Sequence, residues 1–298
     1  MTGPFFQNPS GPSGLFPGIS GSTRVFGILG DSLSHSLSQV FWNAAFRSIS
    51  MDAVYVPFPV APDFLEPAFI GLCRAGVAGL NVTNPFKGRM AQLVSKCLPP
   101  ADSLETVNTV IIHADGTNVG VNTDADALLS ILKEREMPMA VTLLGAGGAA
   151  RAVLWALCQR KVPVVYWSNR TAARLVYPVS TGETRVERTN WTENDLKKAI
   201  DASSMLIQAT TLGWNPEDQL SVLEHALTPH HEFIDLNYNP QSALLKMAMG
   251  KGSRVTNGLE ILLRQGMAAF AFLTGTPAPE AVMRQSLMCL ESSSQGVG

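Results

Sequence analysis

Short β-branched or apolar runs alternate with helical patterns along nearly the whole chain, the arrangement that α/β proteins with parallel sheets produce. In the first half, RVFGIL (24–29), AVYVPF (53–58), AGLNVT (78–83) and VNTVII (107–112) predict strands, and the spacing of apolar positions predicts helices near 39–50, 62–75 and 88–95. In the second half, AVTLLG, VPVVYWS, SMLIQAT and EFIDL predict strands separated by helices at about 148–160, 193–202 and 219–227. Two sheets, both parallel, are expected. Two more apolar helices, 258–274 and 278–291, follow the second sheet and exceed what it needs as cover, so they are expected to return to the first half. The fold class is therefore α/β with two domains: an N-terminal α/β domain over 24–123, completed by 258–291, and a second domain over 124–257. A cleft between domains is a preferred place for a small-molecule site. Residues 1–23 and 292–298, rich in Gly, Ser and, at the front, Pro, are expected to be disordered tails.

Composition narrows the classes of function. The chain has 298 residues, enough for about two domains. With 46% hydrophobic and 15% charged residues and a formal net charge of −2, it has no electrostatic means of gripping nucleic acid or an acidic membrane face. The four cysteines, Cys73, Cys97, Cys158 and Cys289, form no C-x-x-C pair, so mostly buried, reduced thiols, a cytoplasmic location and no metal site are expected. The first 23 residues lack a basic segment followed by an apolar run and do not read as a signal peptide. The stretch 137–158 is nearly apolar enough for a membrane span, but Gly145, Gly147, Gly148 and Arg151 divide it into strand, turn and helix. A monomer and a homodimer are both compatible with these features.

The strongest local chemistry follows AVTLL. Gly145-Ala146-Gly147-Gly148-Ala149-Ala150 fits G-x-G-x-x-[GA] between a strand and a helix, where glycines permit a tight turn and close approach of a pyrophosphate to the helix N-terminus. The next strand ends in Asn169-Arg170-Thr171, followed by Arg174, and no acidic residue occurs from Met137 to Gly182. A carboxylate here would hold a free ribose hydroxyl, whereas guanidinium groups clamp a 2′-phosphate. NADP is therefore expected over NAD.

Polar residues also punctuate the first half at strand ends. GLNVTNPFKGRM ends a strand with Asn81 and Thr83 and delivers Lys87 to a helix start, where the helix dipole disfavours a cation. Asn108 and Asp124 follow in TVNT and GVNTD. Hydride exchange at an alcohol or ketone needs a proton to enter or leave the oxygen, and Lys87 with Asp124 is the natural acid/base pair. An ordinary lysine, with pKa about 10.4, is a reluctant base, so a neighbouring carboxylate would have to orient and tune it. Asp124 could also cap the helix ADALLSILKE. In SLSHSLS, Ser36 and Gln39 fit a capping box, yet a helix start with free N–H groups and hydroxyls also welcomes a carboxylate.

Taken together, HSLS, NAAF, NVTNPFK, TVNT, NTD, GAGGAARA, SNRTAAR, QATTLG, DLNYNP and NGLEILLRQGMAAF, in this order from about residue 24 to 290, resemble the shikimate dehydrogenase superfamily. The resemblance implies NADP-dependent, reversible reduction of 3-dehydroshikimate to shikimate between a substrate domain and a Rossmann-like NADP-binding domain. It implies Lys87 and Asp124 as the catalytic pair, with Ser36 and Ser38 on the substrate carboxylate. Thr83, Asn108, Tyr238 and Gln265 would hold the ring hydroxyls. Gly145, Ala146, Gly147, Gly148, Ala149, Asn169, Arg170, Thr171 and Arg174 would hold the cofactor, with Leu236 and Gly258 at its nicotinamide end. Four positions depart from the family pattern: Ser32 and Gln39 replace prolines, Trp42 a histidine and Ala125 a glycine. They are expected to border the carboxylate end of the pocket, which keeps quinate, an aminated shikimate or a related ring acid open as substrate. A ligand-sensing protein without turnover is the alternative of another class.

Overall fold

The computed structural model describes residues 18–176, 181–214, 218, 220–239 and 242–295. The first half comprises β1 (Arg24–Gly30), α1 (Ser38–Ser48), β2 (Ala53–Pro59), a 3-10 turn leading into α2 (Leu65–Arg74), β3 (Gly79–Val82) and α3 (Lys87–Leu93). It continues with β4 (Lys96–Cys97), α4 (Ala101–Leu104), β5 (Thr109–Ile112) and β6 (Asn118–Val121). These strands form one sheet in the order β2-β1-β3-β5-β6-β4. The sheet is mixed, which corrects the expectation of a parallel one: β5 runs antiparallel to both β3 and β6. Only His113–Thr117 separate β5 from β6, and so short a link can only make a hairpin, because a parallel crossover needs about a dozen residues. Asp115 ties the turn by accepting from the Thr117 amide and hydroxyl, and Gly116 supplies its positive φ.

The second half begins with α5 (Thr123–Lys133), β7 (Ala140–Leu144), α6 (Gly148–Gln159), β8 (Val164–Ser168), β9 (Arg185–Thr189) and α7 (Glu193–Asp201). Then come β10 (Met205–Gln208), α8 (Val222–Ala226), β11 (Glu232–Asp235), α9 (Ala243–Gly250) and β12 (Arg254–Thr256). The sheet order is β12-β11-β10-β7-β8-β9, parallel throughout. This is a doubly wound sheet, and its order reverses between β7 and β10, where such sheets bind ligands outside their carboxyl ends. All of β7 is buried, as a central strand covered on both faces must be. The apolar stretch 137–158 thus divides into β7 and α6, and no helix among the described residues is long and apolar enough to cross a membrane. In this second sheet the hydrophobic pattern missed β9 and β12, its two edges, which have little buried surface.

Two closing helices, α10 (Gly258–Thr274) and α11 (Glu280–Gln295), tie the halves together. Phe270, Leu273, Met283 and Leu287 pack with Phe26, Trp42 and Phe46 in the first core, while Ile261 joins Leu128 and Ile131 of α5 in the second. Each fully buried side chain of this size contributes roughly 1.5–3 kcal/mol. Arg264 of α10 fastens the junction with paired bonds to Glu134 and further bonds to Ser130 and Glu260.

Three expectations are corrected here. Helix α11 continues to Gln295, so 292–295 are helical, and 296–298 lie outside the described residues. At the front, Ser22 and Thr23 donate to Asp52 at 3.1 and 2.7 Å, which orders a turn before β1; residues 1–17 lie outside the described residues. Of the four thiols only Cys158 is buried; Cys73 and Cys97 are half-buried and Cys289 is exposed.

Candidate active site

The carboxyl ends of β1 and β3 face those of β7 and β10 across a cleft of about 900 Å³, within the range of small-molecule sites. Into it the structure brings Ser36, Ser38, Thr83, Lys87, Asn108, Asp124, Tyr238 and Gln265 from the expected substrate and catalytic sets. Gly145 to Ala149, Asn169, Arg170, Arg174, Leu236 and Gly258 line it from the expected cofactor set. Thr171 does not; its carbonyl instead accepts from Asn169 Nδ2 at 2.9 Å and so shapes the loop. Sequence reasoning left out Asn81, Thr106, His35 and Trp214, which also line the cleft. Asn81, a polar residue within a buried strand, carried a signal that could have placed it. His35 and Trp214 carried none, because they meet only across the cleft, in a ring sequence that continues from Trp214 to Tyr238.

Lys87 opens α3, and its carbonyl accepts from the Val107 amide at 2.9 Å, which seats the helix start beside β5. Its Nζ donates to Asp124 Oδ2 at 2.7 Å, with both side chains mostly shielded from solvent. The cap of α5 is not Asp124 but Asn122, whose side chain accepts from the Ala125 amide. Asp124 is therefore free to serve Lys87. An atom added at Gly148 would lie 3.5 Å from the Lys87 side chain, so the start of α6 abuts the ion pair in which Lys87 of the first half meets Asp124 of the second.

Beneath the pair runs a buried polar layer. Asn108 Oδ1 accepts from the Thr123 amide at 2.8 Å and from Thr109 Oγ1 at 3.1 Å, and its Nδ2 donates to Thr123 at 3.0 Å. These bonds fix the amide and leave one Nδ2 hydrogen over. Asn81 donates to Thr109 at 3.0 Å and accepts from the Tyr55 phenol at 2.8 Å. Ser38 is also buried and lines the cleft. The capping box expected at Ser36 does not form: helix α1 starts at Ser38 with no side-chain cap, and Gln39 donates to the Ser36 carbonyl rather than bonding its amide. Of the four positions that depart from the family pattern, only Ser32 lines the cleft. Trp42 is fully buried among aromatic rings, Gln39 holds the Ser36 carbonyl, and Ala125 is packed in the second core. The expectation that all four border the pocket is corrected accordingly.

On the opposite wall, Gly145 has φ +116°, and a Cβ there would stand 2.5 Å from the Ala209 carbonyl oxygen, so only glycine turns at this point. Trp167 of β8 anchors the turn by donating to the Gly145 carbonyl at 2.6 Å. The N-cap of α6 is Gly147, with no side-chain bond to the first-turn amides and nothing within 4 Å of where a Cβ would lie. Amides left open at a helix start and room for close approach fit the pyrophosphate of a dinucleotide. At the end of β8, Arg170 and Arg174 are exposed and form no ion pair within the described residues, which fits a 2′-phosphate. Gly258 permits α10 to start against the Leu236 carbonyl, with which any Cβ would collide.

Asp235, at the end of β11, is fully buried. It accepts from the Asn237 amide at 2.9 Å and from Ser242 Oγ at 3.3 Å, which braces the loop carrying Leu236 and Tyr238. Burial pushes its carboxyl up to about 7 from the ordinary 3.8, against the pull of those two bonds. Between about pH 4 and 7 the native state therefore holds a proton that the unfolded chain has released, and stability falls as pH rises through this window. The total is at most about 4 kcal/mol. Asp235→Asn keeps the shape and removes the titration. Its melting temperature relative to the wild type is expected to climb by several degrees between pH 4 and 8 in calorimetry at constant ionic strength; a flat difference contradicts the assignment.

A doubly wound parallel sheet with an open glycine turn, facing a lysine of another α/β domain that is paired with the Asp124 carboxylate, defines a two-domain dinucleotide-dependent oxidoreductase. Two family models match: the shikimate dehydrogenase substrate binding domain over residues 28–110 and the shikimate 5'-dehydrogenase C-terminal domain over 258–288. The chain is 39% identical over 280 residues to a shikimate dehydrogenase (NADP(+)) of Desulforamulus reducens, covering 90% of this chain and 96% of the relative. It belongs to the shikimate dehydrogenase family. The fold matches the crystal structure of shikimate dehydrogenase from Aquifex aeolicus with a TM-score of 0.81 and 32% identity, covering 90% and 99% of the two chains. It also matches shikimate 5-dehydrogenase from Thermus thermophilus in complex with NADP(H) and shikimate, with a TM-score of 0.77 and 29% identity over 88% and 98%.

Proposed function

We propose that the chain catalyses the reversible, NADP-dependent reduction of 3-dehydroshikimate to shikimate. The observation that carries this reading is the 2.7 Å Lys87–Asp124 pair, set between the polar layer of the first domain and the helix start of the second. Ser36 and Ser38 hold the ring carboxylate, and Thr83, Asn108, Tyr238 and Gln265 hold the hydroxyls. The open amides of α6 take the pyrophosphate, and Asn169, Arg170 and Arg174 take the 2′-phosphate. NADP, when bound, supplies or receives the hydride at the ring carbon. Lys87 gives its proton to the carbonyl oxygen as that oxygen becomes a hydroxyl, and takes it back in the oxidative direction. Asp124 keeps the ammonium aimed at that oxygen and stabilises its charge. The names of the relatives support the substrate and the cofactor. Three of the four departures from the family pattern lie off the cleft lining, which favours shikimate over quinate or an aminated shikimate.

A panel of shikimate, quinate and aminoshikimate, each offered with the matching oxidised or reduced form of NADP and of NAD, tests the reading by nicotinamide absorbance. Shikimate with NADP is expected to give the highest kcat/KM. Higher kcat/KM with quinate or aminoshikimate would reassign the substrate. Tight binding of ring acids without any turnover would make the chain a ligand sensor.

A further inference from the structure

Tyr55 lies on β2 and does not line the cleft, yet its hydroxyl occupies the middle of the polar layer beneath it. The phenol donates to Asn81 Oδ1 at 2.8 Å, Asn81 donates to Thr109 at 3.0 Å, and Thr109 donates to Asn108 Oδ1 at 3.1 Å. Asn81 and Asn108 both face the cleft, so a single buried chain underlies this wall of the pocket. The ring itself is stacked on Trp42, with centroids 4.8 Å apart, in an aromatic core where phenylalanine would pack equally well. A hydroxyl buried there is tolerated only because it is bonded, and what it bonds to is the floor of the site.

Resting on the ring-acid reading above, we propose that Tyr55 is a positioning residue whose hydroxyl seats Asn81 and, through Thr109, Asn108 for the substrate. A phenol has one proton to give. With that proton committed to Asn81 Oδ1, the Asn81 amide is held in one orientation and donates to Thr109, which in turn donates to Asn108 Oδ1, so the spare Nδ2 hydrogen of Asn108 is left for the ring. The first domain thereby presents its donors preformed, and substrate affinity rather than chemistry depends on Tyr55.

Tyr55→Phe keeps the stacked ring and removes only the hydroxyl. The KM for shikimate is expected to rise about tenfold, with kcat within about twofold and the KM for NADP unchanged. In an Asn81→Ala background the same change is expected to cost clearly less than it does alone, since the group it seats is gone. Thr109→Val, which breaks the chain at a fully buried residue off the cleft lining, is expected to raise the shikimate KM in the same direction; it provides a second reading should Tyr55→Phe fold poorly. Unchanged KM in both variants, or losses at Tyr55 and Asn81 that simply multiply, would overturn the proposal. Wild-type oxidation of shikimate is measured first. If it is absent, the ring-acid reading fails and this proposal with it; an active wild type with an unaffected Tyr55→Phe variant overturns the proposal alone.

Discussion

Lys87→Ala is expected to lower kcat by about 10² to 10⁴-fold, the usual worth of a positioned acid/base, or roughly 3–5.5 kcal/mol of barrier. The KM for shikimate should change little, because the carboxylate and hydroxyl partners of the ring stand on other elements: Ser36 and Ser38 at α1, Asn108 before β5, and Gln265 on α10. That split separates the proposed role from a merely structural one. Removing the ammonium also leaves Asp124 with no cation to balance it in a largely shielded site. A fall in melting temperature is therefore expected beside the kinetic loss, and kcat must be read at a temperature where the variant is folded. A folded variant that retains near-wild-type turnover would remove Lys87 from the mechanism.

Replacing Arg170 and Arg174 together by alanine is the second large effect. Each guanidinium is exposed, with no competing ion pair among the described residues, so each is available to a phosphate. A charge-assisted hydrogen bond is worth about 1.5–3 kcal/mol. Exposure of both groups argues for the lower end, and the pair then corresponds to a rise of about 10²-fold in the KM for NADP. NAD lacks the 2′-phosphate and should be affected by no more than about threefold, and the ratio of the two constants reports the phosphate contact directly. Equal losses for both cofactors would mean that the arginines shape the loop rather than clamp the phosphate.

Much of the site was legible before any coordinates. The glycine turn, the absence of acidic residues after it and the paired arginines are local features, because a helix N-terminus and the loop next to it build a phosphate site from one stretch of chain. Lys87 announced itself in the same way, as a cation where a helix start disfavours one. The capping box that Ser36 and Gln39 fit and the cap that Asp124 could have supplied both fail to form, for a common reason. Ser, Asp, Asn and Gln side chains have several local partners of nearly equal energy, and tertiary contacts decide among them: Lys87 claims Asp124, and the Ser36 carbonyl claims Gln39. Trp42 looked like a pocket residue in sequence and is a core residue in space, packed against Phe270, which lies far along the chain on α10.

By itself, the sequence determined the alternation of strands and helices, the parallel strands of the second half, the glycine turn and its preference for a phosphorylated dinucleotide, since each follows from side-chain period, backbone freedom or charge within short stretches of chain. Only the tertiary structure decided that the first sheet is mixed and that Asp124 faces Lys87 and not its own helix. It also decided that the polar residues of β2, β3, β5 and α5 join in one buried chain from Tyr55 to Thr123. Such a chain depends on strand register and on which donors remain unspent after folding. Neither is written in any local window, because each is settled by the competition among all buried polar groups for partners.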